Sequence, residues 1–428
     1  MITKTYYTRI IALGCWLGIS CSITLAEILT ESKEQTELTN TNNWPEFRGG
    51  NEGRTQVRNL PLAWSDQEGI AWRLDLPSQG QSSPIVWNKA IYLTGVSGKK
   101  KEKLHLYSYN LSDGALNWSR EFKSPQLRKM SKMVSQAAPT PVADKAGVYA
   151  FFEGGLFVHT DHDGHINWQR NLIADYGEIK GSHSLGSSPT QDNKYLYLLV
   201  DHDAPGYLLA LNKASGATTW KTDRPKRVSW SSPILQDKTI YLSSNGVVQA
   251  YDASNGKQLW EIDGISKNTV ASPIIANSLL LAASSKKGEC IAIRLSANEE
   301  KPQIVWQAAS TSGGFASPQV LGEQAYYTNK SGVLSCVNLK DGSLAWSERI
   351  GGSCWASPIV AGNYLYFFTR DGKTVIYKKD EERAKQIAES KLKGIKTVYG
   401  VAAVDGTLVM RTEKQLICIG KPMPNSNF

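Results

Sequence analysis

The stretch Ser232-Pro-Ile-Leu-Gln-Asp-Lys-Thr-Ile-Tyr-Leu-Ser-Ser-Asn-Gly-Val-Val-Gln-Ala-Tyr-Asp-Ala-Ser-Asn-Gly-Lys-Gln-Leu-Trp260 decides how this chain folds. Pro233-Ile-Leu opens a first strand. Thr239-Ile-Tyr-Leu, β-branched and aromatic, is a second. Asn245-Gly246 has the composition of a tight hairpin turn, and Val247 to Tyr251 follows as a third strand. Asp252 to Gly256 turns the chain again, and Lys257-Gln-Leu-Trp260 starts a fourth. Four short antiparallel strands joined by turn residues make one small sheet. The Trp is placed to cover the gap to a neighbouring sheet, and the Gly four residues earlier lets the backbone turn closely.

The unit repeats. Ser-Pro recurs at Ser83-Pro84, Ser188-Pro189, Ser232-Pro233, Ser272-Pro273, Ser317-Pro318 and Ser357-Pro358; Ala138-Pro139 is a variant, and Val401-Ala402 takes the last equivalent place. The Gly-to-Trp phrase returns at Gly114–Trp118, Gly164–Trp168, Gly216–Trp220, Gly256–Trp260 and Gly342–Trp346. A period of about 40 to 55 residues, with several short apolar runs in each, predicts an all-β, eight-bladed β-propeller of four-stranded antiparallel blades. First strands are expected near 84, 139, 189, 233, 273, 318, 358 and 402, and Ile387 is expected in the Trp place of the seventh blade. The eighth blade ends at Cys418-Ile-Gly with only three strands, while Ile70-Ala-Trp72-Arg-Leu is left over at the front. The N-terminal strand is therefore expected to close the ring and remove an open edge.

Length and charge narrow the rest. The 428 residues form one repeated architecture, so a division into several domains is not expected. Net charge is 48 − 39 = +9, with no long basic block, which argues against a nucleic-acid partner. Lys4 and Arg9 precede an apolar run from Ile10 to Ala26, and Thr24-Leu25-Ala26 offers small residues for cleavage. That run is marginal for a stable membrane span, and neither Cys15 nor Cys21 sits in a good lipidation context. The expected layout is a signal peptide over 1–26, a flexible leader over 27–43, a strap over 44–69 covering an apolar patch on the outer blades, the propeller over 70–420 and a tail over 421–428. A periplasmic or secreted monomer follows. Cys290, Cys336, Cys354 and Cys418 show no paired spacing and are expected to be small buried hydrophobes.

The pattern Ala-x-Asp-x-x-x-Gly-x-x-x-Trp, present as Ala250-Tyr251-Asp252 through Gly256 to Trp260 and as Ala210-Leu211-Asn212 through Gly216 to Trp220, resembles the pyrroloquinoline-quinone (PQQ) repeat. Trp44-Pro-Glu-Phe-Arg-Gly, Asp175-Tyr-Gly-Glu, His183 before Ser188-Pro189, and Leu199-Val-Asp201-His202 look like exported PQQ-like propellers of planctomycete- and verrucomicrobia-type bacteria. The resemblance covers roughly residues 44 to 420. It implies two kinds of better-understood relative: quinoprotein dehydrogenases, which bind PQQ and calcium, and the barrel-assembly propeller BamB, a scaffold without cofactor. The adjacent Cys pair and long insertions typical of the larger alcohol-oxidising quinoproteins are missing here, and no Glu, Asn and Asp set is assignable to calcium. No cofactor is therefore expected, with PQQ and calcium as the alternative.

Candidate sites gather on one rim. Three residues before each opening proline or its equivalent stand Gln81, Gln136, Gly186, Trp230, Val270, Phe315, Trp355 and Tyr399. Symmetry places them around the channel mouth, where Trp230, Phe315, Trp355 and Tyr399 suit a sugar, a peptide or a flat ligand, or else close the channel by packing. His183, Asp201 and His202 belong to loops on the same rim, with Asp175, Tyr176 and Glu178 nearby; they suit acid–base work or a structural network. Arg224, Lys226 and Arg227, like Arg128, Lys129 and Lys132, enter from that rim and suit an acidic ligand. The group His159, Asp161, His162, Asp163 and His165 has metal-ligating types, but strand alternation separates them, so a polar turn and no metal is expected. The expected function is an exported, non-catalytic binding or scaffolding module. The alternatives are a quinoprotein-like oxidoreductase and a carbohydrate-binding or carbohydrate-processing module.

Overall fold

Each repeat folds into a small antiparallel sheet whose first strand lies innermost. In the repeat quoted above the strands are Ile234–Gln236, Thr239–Ser244, Val247–Asp252 and Gln258–Asp263. Their register pairs Ile234 with Tyr241, Tyr241 with Ala250 and Ala250 with Trp260. The computed structural model describes residues 43–421 except 51, 128–130, 132, 184, 267–268, 296–301 and 382. The expected signal peptide, most of the leader and nearly all of the tail lie outside the described residues. Among those described, eight such sheets form an eight-bladed propeller, with a fifth strand added to the seventh. Inner strands are buried on both faces, as in Gly147–Phe152 and Leu156–Thr160, because each sheet is sandwiched between two others. Fourth strands face solvent, as in Leu344–Arg349, where only Trp346 is partly covered.

The Trp and Gly of the repeat meet across blades. Trp118 Nε1 donates to His162 O at 2.7 Å, Trp168 Nε1 to Lys213 O at 2.8 Å, Trp220 Nε1 to Ala253 O at 2.9 Å and Trp306 Nε1 to Leu339 O at 2.7 Å. Each of these indoles lies on the Gly of the following blade: a Cβ on Gly164 would come within 2.7 Å of Trp118, and one on Gly256 within 2.4 Å of Trp220. The glycine thus serves its own turn, at φ +84° and +73° in these two cases, and also makes room for its neighbour's ring.

Ring closure follows the expectation. Ile70–Asp75 pairs antiparallel with Gln415–Gly420, placing Trp72 opposite Cys418 and Leu74 opposite Leu416. Trp72 Nε1 then donates to Leu111 O of blade one at 2.9 Å, over Gly114. All four cysteines in the described residues are free and buried.

Three register assignments shift. In blade two Val142 takes the place of Ile85, so the opening pair is Thr140-Pro141 rather than Ala138-Pro139, and the rim residue is Ala138 rather than Gln136. In blade eight Val404 pairs with Thr407 as Ala361 pairs with Tyr364 in blade seven, so Gly400-Val401 is the opening pair and Val398 the regular rim position. In blade seven Ala388, opposite Ile376, holds the Trp place, and Ile387 is 46% exposed. Each slip came from counting along a blade with a nonstandard opening or closing residue.

The first part of the strap docks on the innermost strands, and its later part runs outward over blades seven and eight, where Trp64 N donates to Ser390 Oγ on the fourth strand of blade seven at 3.0 Å. Trp44 exchanges backbone hydrogen bonds with Val86 at 2.7 and 2.8 Å, and Pro45 O accepts from Ala143 N at 2.8 Å. Glu46 accepts from Thr190 Oγ1 at 3.2 Å, and Arg48 Nη1 donates to Pro273 O at 2.9 Å. Gly53 O accepts from Gln319 Nε2 and from Val360 N, both at 2.9 Å, and Arg54–Thr55 pairs in parallel with Ile359–Ala361. The segment 44–55 thereby touches the inner strands of blades one, two, three, five, six and seven.

Candidate functional site: the channel mouth

The recurring Ser of Ser-Pro builds a belt around the channel. Ser83 N donates to Thr140 Oγ1 at 2.9 Å, Thr140 N to Ser188 Oγ at 3.0 Å and Ser188 N to Ser232 Oγ at 2.9 Å. The chain continues from Ser232 N to Ser272 Oγ at 2.8 Å, Ser272 N to Ser317 Oγ at 3.1 Å and Ser317 N to Ser357 Oγ at 3.2 Å. A serine beside a proline suits this task, since proline fixes the strand's start and has no N–H of its own to satisfy. The belt stops at blade eight, where Gly400 stands. A Cβ there would lie 2.1 Å from Ser83 Oγ, so no hydroxyl-bearing side chain fits.

Above the belt is a cavity of about 540 Å³. All seven belt hydroxyls line it, and Phe47 of the strap contributes to its floor. Trp230, Phe315, Trp355 and Tyr399 line it as well, together with His183, Gln81, Met133, Leu185, Val270 and Lys330. Phe315 and Trp355 lie 5.1 Å apart at 48°, and Trp355 and Tyr399 lie 6.0 Å apart at 50°. Together the three make an arc across blades six, seven and eight. Tyr399 reaches the cavity from an irregularity in its strand between Val398 and Gly400, so its place does not follow from the repeat alone. Lys330 Nζ sits 5.2 Å from the Phe315 ring and the Arg370 guanidinium 4.9 Å from the Trp355 ring, both cation–π distances.

The polar candidates divide. His183 lines the cavity, edge-on to Trp230 at 6.4 Å, and its carbonyl accepts from Trp230 Nε1 at 3.2 Å. Asp201, His202, Arg224 and Arg227 do not line it. Asp201 and Arg224 form a buried ion pair at 2.8 Å, each side chain 1% exposed. Ser229 Oγ donates to the same carboxylate at 3.2 Å, and Ser244 Oγ donates as well. Arg224 also donates to Tyr251 OH at 2.5 Å. Paired charge and hydrogen bonds offset the desolvation of this group, and together they tie blade three to blade four. His202 is buried and accepts from Lys180 N at 3.2 Å, pinning the long loop before Ser188. Arg227 donates to Asn245 O at 3.2 Å and faces Glu261 at 3.5 Å. Asp175 is drawn outward by Arg170 at 2.6 Å, and Tyr176 OH meets Thr218 Oγ1 on the outer strand. Arg128, Lys129 and Lys132 lie outside the described residues.

The histidine cluster separates as alternation requires. His159 is buried, stacked on Tyr149 at 4.1 Å, and burial lowers its pKa. His162 bridges Tyr92 OH and Asp144 O, each at 2.8 Å. Asp161, Asp163 and His165 stay close in an exposed turn, but Asp161 is already committed to the N–H groups of Asp163 and His165 and to the His165 ring at 2.9 Å.

Sequence reasoning missed the belt, Phe47 and Lys330. The belt had a signal: the Ser was as regular as the Pro beside it. Phe47 and Lys330 had none.

The sequence pattern of the family described as outer membrane protein assembly factor BamB matches residues 54–198, 175–301 and 294–421. The factor of that name from Yersinia pestis is 23% identical over 269 residues, 62% of this chain and 63% of its own length, so the match spans just under two thirds of that relative. Among solved structures, BamB from Moraxella catarrhalis aligns with a TM-score of 0.61 at 13% identity, covering 84% of this chain and 99% of that one. A europium-containing methanol dehydrogenase aligns with a TM-score of 0.63 at 11% identity, covering 89% and 91%. At such identities the two structural likenesses show the fold alone.

Proposed function

This chain belongs to the family of the outer membrane protein assembly factor BamB, and on that footing we propose that it is an exported, non-catalytic propeller that binds a ligand or partner at its channel mouth. One observation carries the reading: four aromatics and seven hydroxyls from separate blades converge on a single cavity. The candidate acid–base groups Asp201 and His202 are meanwhile held in a buried network away from it. A cavity of this size with a few placed polar groups is the usual form of a small-ligand site. Export is supported by the Lys4, Arg9 and Ile10-to-Ala26 pattern. No helix among the described residues is long and apolar enough to cross a membrane.

The reading includes no PQQ and no calcium. Calcium takes six to eight oxygen ligands, roughly, and favours carboxylates. The described lining offers no Asp, Glu or Asn side chain, so these residues do not fit a calcium-bridged cofactor. Titration of purified protein with PQQ and calcium tests this, and stoichiometric uptake with dye-linked alcohol oxidation overturns it.

The site itself is tested by replacing Trp230 and Trp355 together with Ala and titrating a panel of oligosaccharides and peptides by calorimetry. Weakened binding with an unchanged melting temperature is expected. Full retained affinity places the site elsewhere, and an unfolded double variant makes these rings part of the core.

A further inference from the structure

Charge around the cavity is one-sided. Its described lining holds Lys330 and His183 but no carboxylate. Two more cations stand behind the aromatic arc. Arg370 lies 4.9 Å from the Trp355 ring and donates to Thr397 Oγ1 at 3.1 Å. Arg411 is wholly buried near Tyr399, donates to Ser82 O at 3.1 Å, and leaves Nε and Nη2 without an acceptor among the described residues. No ion pair with a carboxylate is seen for Lys330, Arg370 or Arg411 among the described residues. On the opposite side of the mouth the charges are balanced: Arg224 pairs with Asp201, Lys226 with Asp203 and Arg227 with Glu261. Behind Arg370, Glu413 accepts from Thr397 N at 3.0 Å and Asp371 pairs with Lys391, but neither lines the cavity, so the charges that face it on the side of the rings are positive.

The belt adds donors. Six of its seven hydroxyls already accept a backbone N–H, so their own protons remain available to a ligand oxygen. The ligand implied has many oxygens, a negative charge and ring faces. The arc fixes the kind of ring. Its members tilt by 48° and 50° at successive steps of 5.1 and 6.0 Å, which makes a curved wall and not a slot between parallel faces. A flat fused-ring acid lies well against one of these residues at a time. A short chain of puckered sugar rings follows all three.

We propose that the channel-mouth cavity takes an acidic oligosaccharide, a short uronate chain laid along Phe315, Trp355 and Tyr399 with a carboxylate at Lys330. The proposal rests on the cavity being the binding site. Trp230 and His183 then face the far end of the chain across the belt. Lys330 is exposed, so its replacement leaves the core untouched.

The test is calorimetric titration of the purified protein with di- and trigalacturonate, with the matching neutral galactose oligomers, and with pyridine-2,6-dicarboxylate as a flat acid. Galacturonate binding is expected, weakened by salt. Lys330→Ala should weaken it about fivefold, the scale of one partly exposed ion pair. Neutral oligomers should bind more weakly by at least that factor. Equal affinity for neutral oligomers, with loss in the Trp230→Ala, Trp355→Ala double variant, overturns the acidic specificity and keeps the cavity as the site. Preference for the flat dicarboxylate, or no galacturonate binding, overturns the saccharide assignment. Galacturonate binding that survives the double variant overturns both the assignment and the site.

Discussion

Gly400 and Ser83 meet at the seam of the ring, where a Cβ on Gly400 would lie 2.1 Å from Ser83 Oγ and 2.7 Å from Ser83 Cα. The place held by Ser or Thr in the other seven blades is glycine here because the eighth blade closes against the first at that point. Arg411, one strand away opposite Gly400, crosses the same seam with a bond of another kind, donating to Ser82 O at 3.1 Å. Gly400→Ser, which restores the repeat by sequence, is therefore expected to destabilise the fold by roughly 1–3 kcal/mol through overpacking. Denaturant unfolding of the variant checks this; a stability equal to or above wild type removes the steric account of the seam.

The closing strand has its own anchor. Trp72 packs over Gly114 and bonds Leu111 O at 2.9 Å. Trp72→Ala should cost roughly 2–4 kcal/mol, because a large partly buried ring is lost and the blade-eight edge is loosened. Gly114→Ala should destabilise through the same contact, since its Cβ would approach the indole to 2.8 Å. An unchanged melting temperature in Trp72→Ala would contradict closure through this strand.

Asp201 and Arg224 pair within blade three and, through Ser229, Ser244 and Tyr251, hold it to blade four. Asp201→Ala leaves a buried guanidinium without its counter-charge and is expected to lose about 3–5 kcal/mol. Asp201→Leu combined with Arg224→Met removes both charges and should recover much of that loss. If the double variant is as unstable as the single, the pair's geometry matters more than its charge balance.

Glu46 gives the strap a pH dependence. Burial pushes its carboxyl up to about 8 from an ordinary 4.5, with Thr190 and Lys213 pulling the other way. The folded state thus keeps the proton to higher pH than the unfolded chain does. Its contribution is fully present below about 4.5 and is lost as pH rises through about 8. Between pH 5 and pH 9 the wild type should lose melting temperature relative to Glu46→Gln. Parallel pH profiles for the two proteins would show that Glu46 does not titrate in this window.

Much of this was legible in the sequence because a propeller is written locally. Ser-Pro openings, hairpin turns and Gly-to-Trp phrases each specify structure within a few residues, and the missing eighth-blade strand pointed to Ile70–Asp75. The aromatic positions Trp230, Phe315 and Trp355 were also readable, since a fixed register in a symmetric ring fixes a direction. Reading failed where a blade departs from the repeat: at Thr140, at Ala388 and at Gly400 the local residue gives no count of its own.

Which polar groups face the cavity was decided only by the tertiary structure. Asp201 and Arg224 occupy rim loops by sequence, yet they turn inward because each blade packs against the next and their charges find one another there. The strap's path through the channel depends on inner strands from six blades, which no single stretch of chain records. Phe47 reaches the cavity floor for the same reason. The sequence by itself determined the blades and their number; assembly of the ring decided that the recurring hydroxyls form a belt and which side chains share a cavity, because convergence on an axis is a property of all eight blades together.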